Sequence, residues 1–290
     1  MRSDTVSMIE SGLVVEGGGM RGIYTAGVLD FFMEKNIYFD DCYGVSAGAC
    51  HLSSYLSKQI GRSLKVTLDY INDKRYCSIN SLIKTGDMFG VEMLYNRIPN
   101  ELVLYDYETF NKFKGNFYSV VTNCKTGKAE YMKIQDMKED IVTVRASSSL
   151  PLLSRIVEIN GEEYLDGGIS DSIPVKKSIE DGHRKNVVIL TRDKTYRKSK
   201  ASFLNIFKIK YKKYPNLIKA IEDRYKMYND TIDFIEEKRK SGEVFVIQPK
   251  EPVNISRVEK DKTKLKALYD EGYNDAKECY EDLIKFINEK

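Results

Sequence analysis

The stretch Phe39-Asp40-Asp41-Cys42-Tyr43-Gly44-Val45-Ser46-Ala47-Gly48-Ala49-Cys50-His51-Leu52-Ser53-Ser54-Tyr55-Leu56-Ser57 decides how the chain is read. Phe39 to Val45 has the pattern of a short strand, and Ala47 to Ser57 that of a helix. Between them Gly44-Val45-Ser46-Ala47-Gly48 is a G-x-S-x-G pentapeptide, a pattern that sets a serine on a sharp strand-to-helix turn. The flanking glycines suit a turn too tight for a Cβ on either side. The helix start would aim free backbone N–H groups at negative charge forming near Ser46. An ordinary turn has the same composition. A nucleophile elbow at Ser46 therefore needs an oxyanion hole and a base from elsewhere in the chain.

Immediately upstream, Leu13-Val14-Val15 reads as a buried strand that runs into the glycine-rich turn Glu16-Gly17-Gly18-Gly19-Met20-Arg21-Gly22. Ile23 to Lys35 is helical and apolar on every side, so it is expected to be largely buried. Two strands joined by a helix make a βαβ unit, which implies a parallel sheet. Residues 58 to 111 are expected to cover that sheet as helices and loops, with Ser63 to Ile71 helical and Asp87 to Arg97 mixed in periodicity. Phe117 to Asn123 and Ala129 to Ile134 form a hairpin around Lys125-Thr126-Gly127-Lys128, and Ile141 to Ser149 a helix. Asn160-Gly161 marks a second hairpin between Ile156–Ile159 and Glu163–Leu165. Asn186 to Leu190 has the short apolar run of a central parallel strand.

Composition changes after Thr191: Arg192 to Lys213 holds nine Lys or Arg and one acid, Asp193, interleaved with aromatic and aliphatic residues. Leu217 to Lys240 is a long charged helix, Glu243 to Gln248 a further strand, and Lys260 to Asn288 another long helix. The softest boundary lies near Thr195. It separates a catalytic core of residues 1–195 from a mostly helical region of residues 196–290 packed on it.

Across all 290 residues, 46 basic and 43 acidic side chains leave a net charge of only +3, which does not point to nucleic acid. With 42% hydrophobic and 31% charged residues the composition is that of a globular chain. No stretch has the roughly 18 apolar residues of a membrane span. The residues up to Glu16 lack a long apolar core, so no secretory signal is expected. Five widely spaced cysteines, without a CxxC pair, suit free thiols in a reducing cytoplasm, and no metal-ligand spacing occurs.

Three consecutive glycines, Gly17, Gly18 and Gly19, can present backbone N–H groups with no side chain in the way, and Arg21 can hold that loop or add charge beside it. The same loop fits the dinucleotide pattern G-x-G-x-x-G at Gly17, Gly19 and Gly22. That pattern wants an acid at the end of the second strand, whereas Asp40 and Asp41 stand at its start. A Walker A loop is excluded because Ile23-Tyr24 follows Gly22. For the base, only two histidines exist. His51 lies five residues into the elbow's own helix, about 500° around and about 7.5 Å along, and is expected to be a helix-surface or packing residue. His183 could complete a Ser46–Asp166–His183 order, but Glu180 to Lys185 reads as a charged turn with a solvated histidine. Asp166, between a strand and Gly167-Gly168, can stand at a loop edge. A partly desolvated carboxylate can serve as base although its ordinary pKa is about 4.

In combination, Gly17-Gly18-Gly19-Met20-Arg21-Gly22, Gly44-Val45-Ser46-Ala47-Gly48 and Asp166-Gly167-Gly168 resemble the patatin-like phospholipases, in that family's order. Ala146-Ser147-Ser148-Ser149-Leu150-Pro151 is similar to the small-residue segment that the family carries ahead of its aspartate. The resemblance implies a three-layer α/β/α fold with a mainly parallel central sheet. It also implies a dyad of Ser46 as nucleophile and Asp166 as base, with Gly17, Gly18 and Gly19 as oxyanion hole. Arg21, Gly22, Gly44, Gly48, Gly167 and Gly168 would support them. The implied reaction is hydrolysis of lipid acyl esters without metal or organic cofactor. A non-catalytic lipid-binding protein on the same fold is the alternative. The basic-aromatic segment 194–214 suits peripheral contact with an anionic membrane, at the inner surface for a cytoplasmic protein. An ordinary solvated helix face packed through its apolar side is the other reading.

Overall fold

The computed structural model describes residues 9–289; the first eight residues, part of the stretch read for a secretory signal, lie outside the described residues, as does residue 290. Strand β1 (Ile9–Val15) leads through the glycine loop and a short 3-10 turn (Gly19–Gly22) into α1 (Ile23–Glu34). Then follow β2 (Phe39–Val45) and α2 (Ala47–Leu56). β1 and β2 pair in parallel, as the βαβ reading requires. Helices α3 (Arg62–Tyr70), α4 (Ile79–Thr85) and α5 (Tyr107–Asn111) follow, with a π-helix over Met93–Leu102 where the periodicity is mixed. The hairpin of β3 (Asn116–Asn123) and β4 (Ala129–Ile134), helix α6 (Ile141–Ser147), and the hairpin of β5 (Val157–Ile159) and β6 (Glu162–Asp166) lie where the sequence predicts them. Next come α7 (Val175–Glu180), β7 (Asn186–Ile189), α8 (Leu204–Lys210), α9 (Pro215–Lys240) and β8 (Val244–Ile247). The long helix expected over Lys260 to Asn288 is instead two, α10 (Lys262–Glu278) and α11 (Tyr280–Asn288), separated at Cys279.

β3, β2, β1, β7 and β8 form a parallel run in that order, and β4, β5 and β6 add antiparallel pairs, which gives eight strands among the described residues. Strand alternation sends Leu13, Val15, Cys42, Val187 and Ile189 to one face, against α1, α2 and α10. Val14, Tyr43, Val188 and Val244 go to the other face, where Val175 of α7 and Tyr228 and Ile235 of α9 meet them. The result is the mixed, mostly parallel sheet between two helical layers that the sequence predicts. The sheet also crosses residue 195, because β8 pairs with β7. Ile23 through Met33 of α1 are all buried, and α10 covers them. Tyr24, Tyr269 and Tyr273 hydroxyls tie the two helices by donating to Asp275, Asp30 and Glu34 at 2.8, 2.6 and 2.6 Å. No helix among the described residues is long and apolar enough to cross a membrane.

Candidate active site

Strand register determines what meets at the site. β3 pairs with β4 along one edge over residues 117–122. Its other edge therefore holds both β2, over residues 116–120, and β6, over residues 121–123. β2 runs parallel to β3 and β6 antiparallel, so their C-terminal ends point at each other. Val45 stands opposite Val120 and Asp166 opposite Val121, one step apart. A strand step is only about 3.3 Å. Ser46 and Asp166, 120 residues apart in sequence, are thereby brought to one cleft.

Ser46 follows β2 directly and caps α2 with φ 54° and ψ −124°, a conformation that costs a residue bearing a Cβ of order 1–3 kcal/mol. Its N–H donates to Ser147 Oγ at 2.8 Å. Asp166 N–H donates to the Ser149 carbonyl at 2.9 Å, so the small-residue segment at the end of α6 clamps both. Gly44 and Gly48 sit where a Cβ would come within 2.7 Å of Ala49 Cα and 2.8 Å of the Glu16 carbonyl. Gly17 lies directly on the elbow, where a Cβ would meet the Val45 carbonyl at 2.9 Å and Ser46 Cβ at 3.0 Å. The N–H groups of Gly17, Gly18 and Gly19 donate to no acceptor among the described residues, and all three glycines line the cleft.

Asp166 is 2% exposed. Its Oδ1 accepts from Gly168 N–H at 2.8 Å, while Oδ2 is buried without a hydrogen-bond partner among the described residues. Burial raises its pKa above the ordinary value. The positive field of Arg224 and the nearby Ser46 hydroxyl pull the other way, although that hydroxyl contact falls short of a full hydrogen bond. Arg21 is buried behind the loop, with Nη1 3.4 Å from the Ile255 carbonyl, and burial pulls its pKa down to about 10.

Neither histidine hydrogen-bonds to Ser46 or Asp166 among the described residues, although His51 lines a cavity with Ser46. His183, expected to be a solvated loop residue, is instead half-buried, with Nε2 3.0 Å from Asp41 Oδ2 and its ring edge-on to Tyr43. Asp41 is in β2 five residues before Ser46, about 16 Å away along an extended strand. Burial alone would raise the Asp41 carboxyl, but the hydrogen bonds from His183 and Asn116 prevail and hold it below its ordinary value. His51 packs where Gly22 leaves room, since a Cβ there would meet Nε2 at 3.0 Å, and burial lowers its pKa to about 4.

Two cavities adjoin Ser46. One, of about 180 Å³, is mostly apolar and runs beneath the π-helix among Ile23, Val66, Phe89, Leu94, Ile98 and Val144. The other is a polar cleft of about 20 Å³ that also holds Lys198, Arg224 and Arg257 from the C-terminal third. Sequence reading missed these three cations. Arg224 does leave a signal: it interrupts the buried stripe Leu217, Ile221, Tyr228, Thr231 and Ile235 of α9 at helical spacing. A charge on a buried stripe is rare unless it has work to do. Nothing comparable marks Lys198 or Arg257.

Fold and site define an α/β protein with a strained serine at a strand–helix turn, faced by a buried aspartate. The chain belongs to the patatin-like phospholipase family, whose model matches residues 13–178. Residues 214–288 match a second model, described as a domain of unknown function (DUF6363). An uncharacterized protein of Escherichia coli (strain K12), YjjU, is 34% identical over 182 residues, 62% of this chain and 51% of that protein. The probable lipid hydrolase 463L of Invertebrate iridescent virus 6 is 27% identical over 194 residues, 60% of this chain and 65% of its own. The 1-acylglycerol-3-phosphate O-acyltransferase Pnpla3 of Mus musculus is 25% identical over 146 residues, 46% and 32% of the two chains. The matched stretch is thus less than two thirds of each of these relatives' own lengths.

Proposed function

We propose that the protein is a serine lipid acyl hydrolase that cleaves fatty acyl esters through an acyl-Ser46 intermediate, with Asp166 as base. The observation that carries this reading is the meeting of Ser46 and Asp166 at the facing ends of β2 and β6, beside a loop of unengaged N–H groups and an apolar cavity. Ser46 Oγ attacks the ester carbonyl carbon while its proton passes to Asp166 Oδ2, the oxygen left free by the Gly168 contact. Negative charge on the former carbonyl oxygen is met by N–H groups of Gly17–Gly19, preset and partly shielded from water. The C–O bond to the alcohol breaks and that alcohol takes the proton from Asp166. Water then attacks the acyl-serine, gives a proton to Asp166, and the fatty acid leaves as Ser46 recovers its own. Burial makes Asp166 a stronger base than a solvated carboxylate. The acyl chain lies in the cavity beneath the π-helix. The family and the viral relative named as a probable lipid hydrolase support the same reading.

Delivery from a membrane surface is part of this proposal. α8 packs inward through Leu204 and Phe207, yet Phe203 and Ile209 are 78% and 76% exposed, and Lys210, Lys212 and Lys213 are exposed beside them. Lys208 is already engaged, 2.9 Å from Glu222. Exposed apolar residues ringed by exposed cations favour an anionic lipid surface over an ordinary solvated face. Five free thiols suit a cytoplasmic setting. A fluorophosphonate probe tests the chemistry: it should label wild-type protein at Ser46, located by peptide mass, and leave Ser46→Ala unlabelled. Absence of labelling in protein that binds lipid vesicles would favour the non-catalytic lipid-binding alternative.

A further inference from the structure

We propose that Arg224, Arg257 and Lys198 form an anion subsite beside Ser46 that receives a phosphate on the alcohol portion of the ester. The proposal rests on the hydrolase reading for its placement of the ester and extends it to the substrate's head group.

The cleft gathers four cationic side chains, Arg21, Lys198, Arg224 and Arg257, against two carboxylates, Glu16 and Asp166. Both carboxylates also accept hydrogen bonds from neutral donors, and two negative charges cannot offset four positive ones. Glu16 accepts from Thr191 N–H and Oγ1 at 2.6 and 3.0 Å through one oxygen, and from the Tyr228 hydroxyl at 2.8 Å through the other. Asp166 gives Oδ1 to Gly168. Arg224 is held on the inward face of α9, one turn before Tyr228, and its Nε is buried without a hydrogen-bond partner among the described residues. A Cβ on Gly168 would lie 2.9 Å from both Arg224 Nη2 and Asp166 Oδ1, which puts the guanidinium at the edge of the Ser46–Asp166 pair.

The other two cations are held by the backbone. The Arg257 carbonyl accepts from Met20 N–H at 3.2 Å, which joins its segment to the glycine loop. The Lys198 backbone exchanges hydrogen bonds of 2.8 and 3.1 Å with the Asn229 side chain on α9, and its ammonium lies 4.4 Å from the Tyr228 ring centroid. Burial, followed by the field of Arg224 against the pull of Glu16, brings the Lys198 pKa down to about 7. Clustered, desolvated cations that outnumber their counter-charges are unfavourable in an empty site and become more favourable when an anion enters. Guanidinium forks match phosphate in particular.

Ser46 lines both cavities, so an ester carbonyl placed on it has two directions open. The apolar cavity of about 180 Å³ suits the acyl chain, and the smaller polar cleft leaves the alcohol portion of the ester facing the cations. The phosphate contacts come from residues outside the stretch matched to the patatin-like family. The C-terminal third thereby supplies head-group recognition to the Ser46 site.

Calorimetric titration of Ser46→Ala protein with 1-decanoylglycerol 3-phosphate, 1-decanoylglycerol and inorganic phosphate reads the subsite without turnover. Its outcome is therefore independent of the hydrolase reading, which wild-type turnover tests. The phosphate-bearing ester should bind at least about tenfold tighter than the neutral one, as one or two charge-assisted hydrogen bonds allow. Arg257→Gln and Arg224→Gln, each added to Ser46→Ala and checked for unchanged circular dichroism, should each abolish most of that preference. Equal affinity for the two esters, or a preference that survives in both arginine variants, would overturn the proposal. Inorganic phosphate binding as tightly as the acylglycerol phosphate would overturn the head-group assignment in favour of a free anion.

Discussion

Ser46 and Asp166 are each in an unfavourable local state. The serine takes a backbone conformation suited to glycine, and the aspartate is buried with one oxygen unpartnered. Such costs persist where the surrounding structure over-determines them, and they cluster at functional sites. The raised pKa of Asp166 has a definite sign in both activity and stability. On the dyad reading the reactive form is ionised, so kcat/KM should fall as pH drops through a midpoint above the ordinary value of about 4. A pH–rate profile with its acid limb at or below that value would count against a buried base. In stability the same shift works the other way. Its contribution is fully present below the unfolded-state pKa and is lost as pH rises through the folded value, because the ionised carboxylate is the form that burial penalises. Both residues were legible in sequence, Ser46 from its pentapeptide and Asp166 from Asp-Gly-Gly. The poorly placed histidines point from one to the other and the family resemblance pairs them, but their meeting in one cleft depends on the register of β3, which no local pattern encodes.

At the level of elements, the site is a junction of three chain reversals: the glycine loop after β1, the elbow after β2, and the end of β6. The βαβ unit and both hairpins follow from apolar runs and Asn-Gly or Thr-Gly turns, which is why they could be read directly. The π-helix could not, since its periodicity fits neither template, and it roofs the apolar cavity. His183 was misread for a related reason. Its charged neighbours suggest solvent, while its partner Asp41 comes from a strand 142 residues away in sequence. The glycine loop and elbow are packed against each other without slack. Gly17→Ala would place a methyl 2.9 Å from the Val45 carbonyl and 3.0 Å from Ser46 Cβ. It should lower ester turnover at least about 100-fold, as small displacements of a reacting group do, while circular dichroism stays native. Turnover within a few-fold of wild type would remove the loop from the site's machinery.

Across the whole molecule, the C-terminal third is integral to the fold. β8 extends the sheet, α10 covers α1, and α9 brings Arg224 and Tyr228 to the cleft. The composition shift after Thr191 is visible in sequence, but where its cations lie in the fold is not. Lys198 reads there as one more surface cation, whereas the folded chain turns it toward Ser46 and leaves Phe203, Ile209 and Lys210 to Lys213 outward. That division makes the membrane proposal specific. Reversing Lys210, Lys212 and Lys213 to Glu should weaken sedimentation with anionic vesicles more than tenfold, at about 1 kcal/mol per cation near the surface. Neutral vesicles should show little difference, and unchanged binding to anionic vesicles would end the proposal.

The central claim, that Ser46 works with Asp166 and without histidine, is tested most directly by comparing kcat/KM on one medium-chain ester for wild type, Ser46→Ala, Asp166→Asn and His183→Gln. Ser46→Ala and Asp166→Asn should each lose at least about a thousandfold, and His183→Gln, altered at the far end of β2, should remain near wild type. His183→Gln as inactive as Ser46→Ala, or Asp166→Asn as active as wild type, would contradict the dyad.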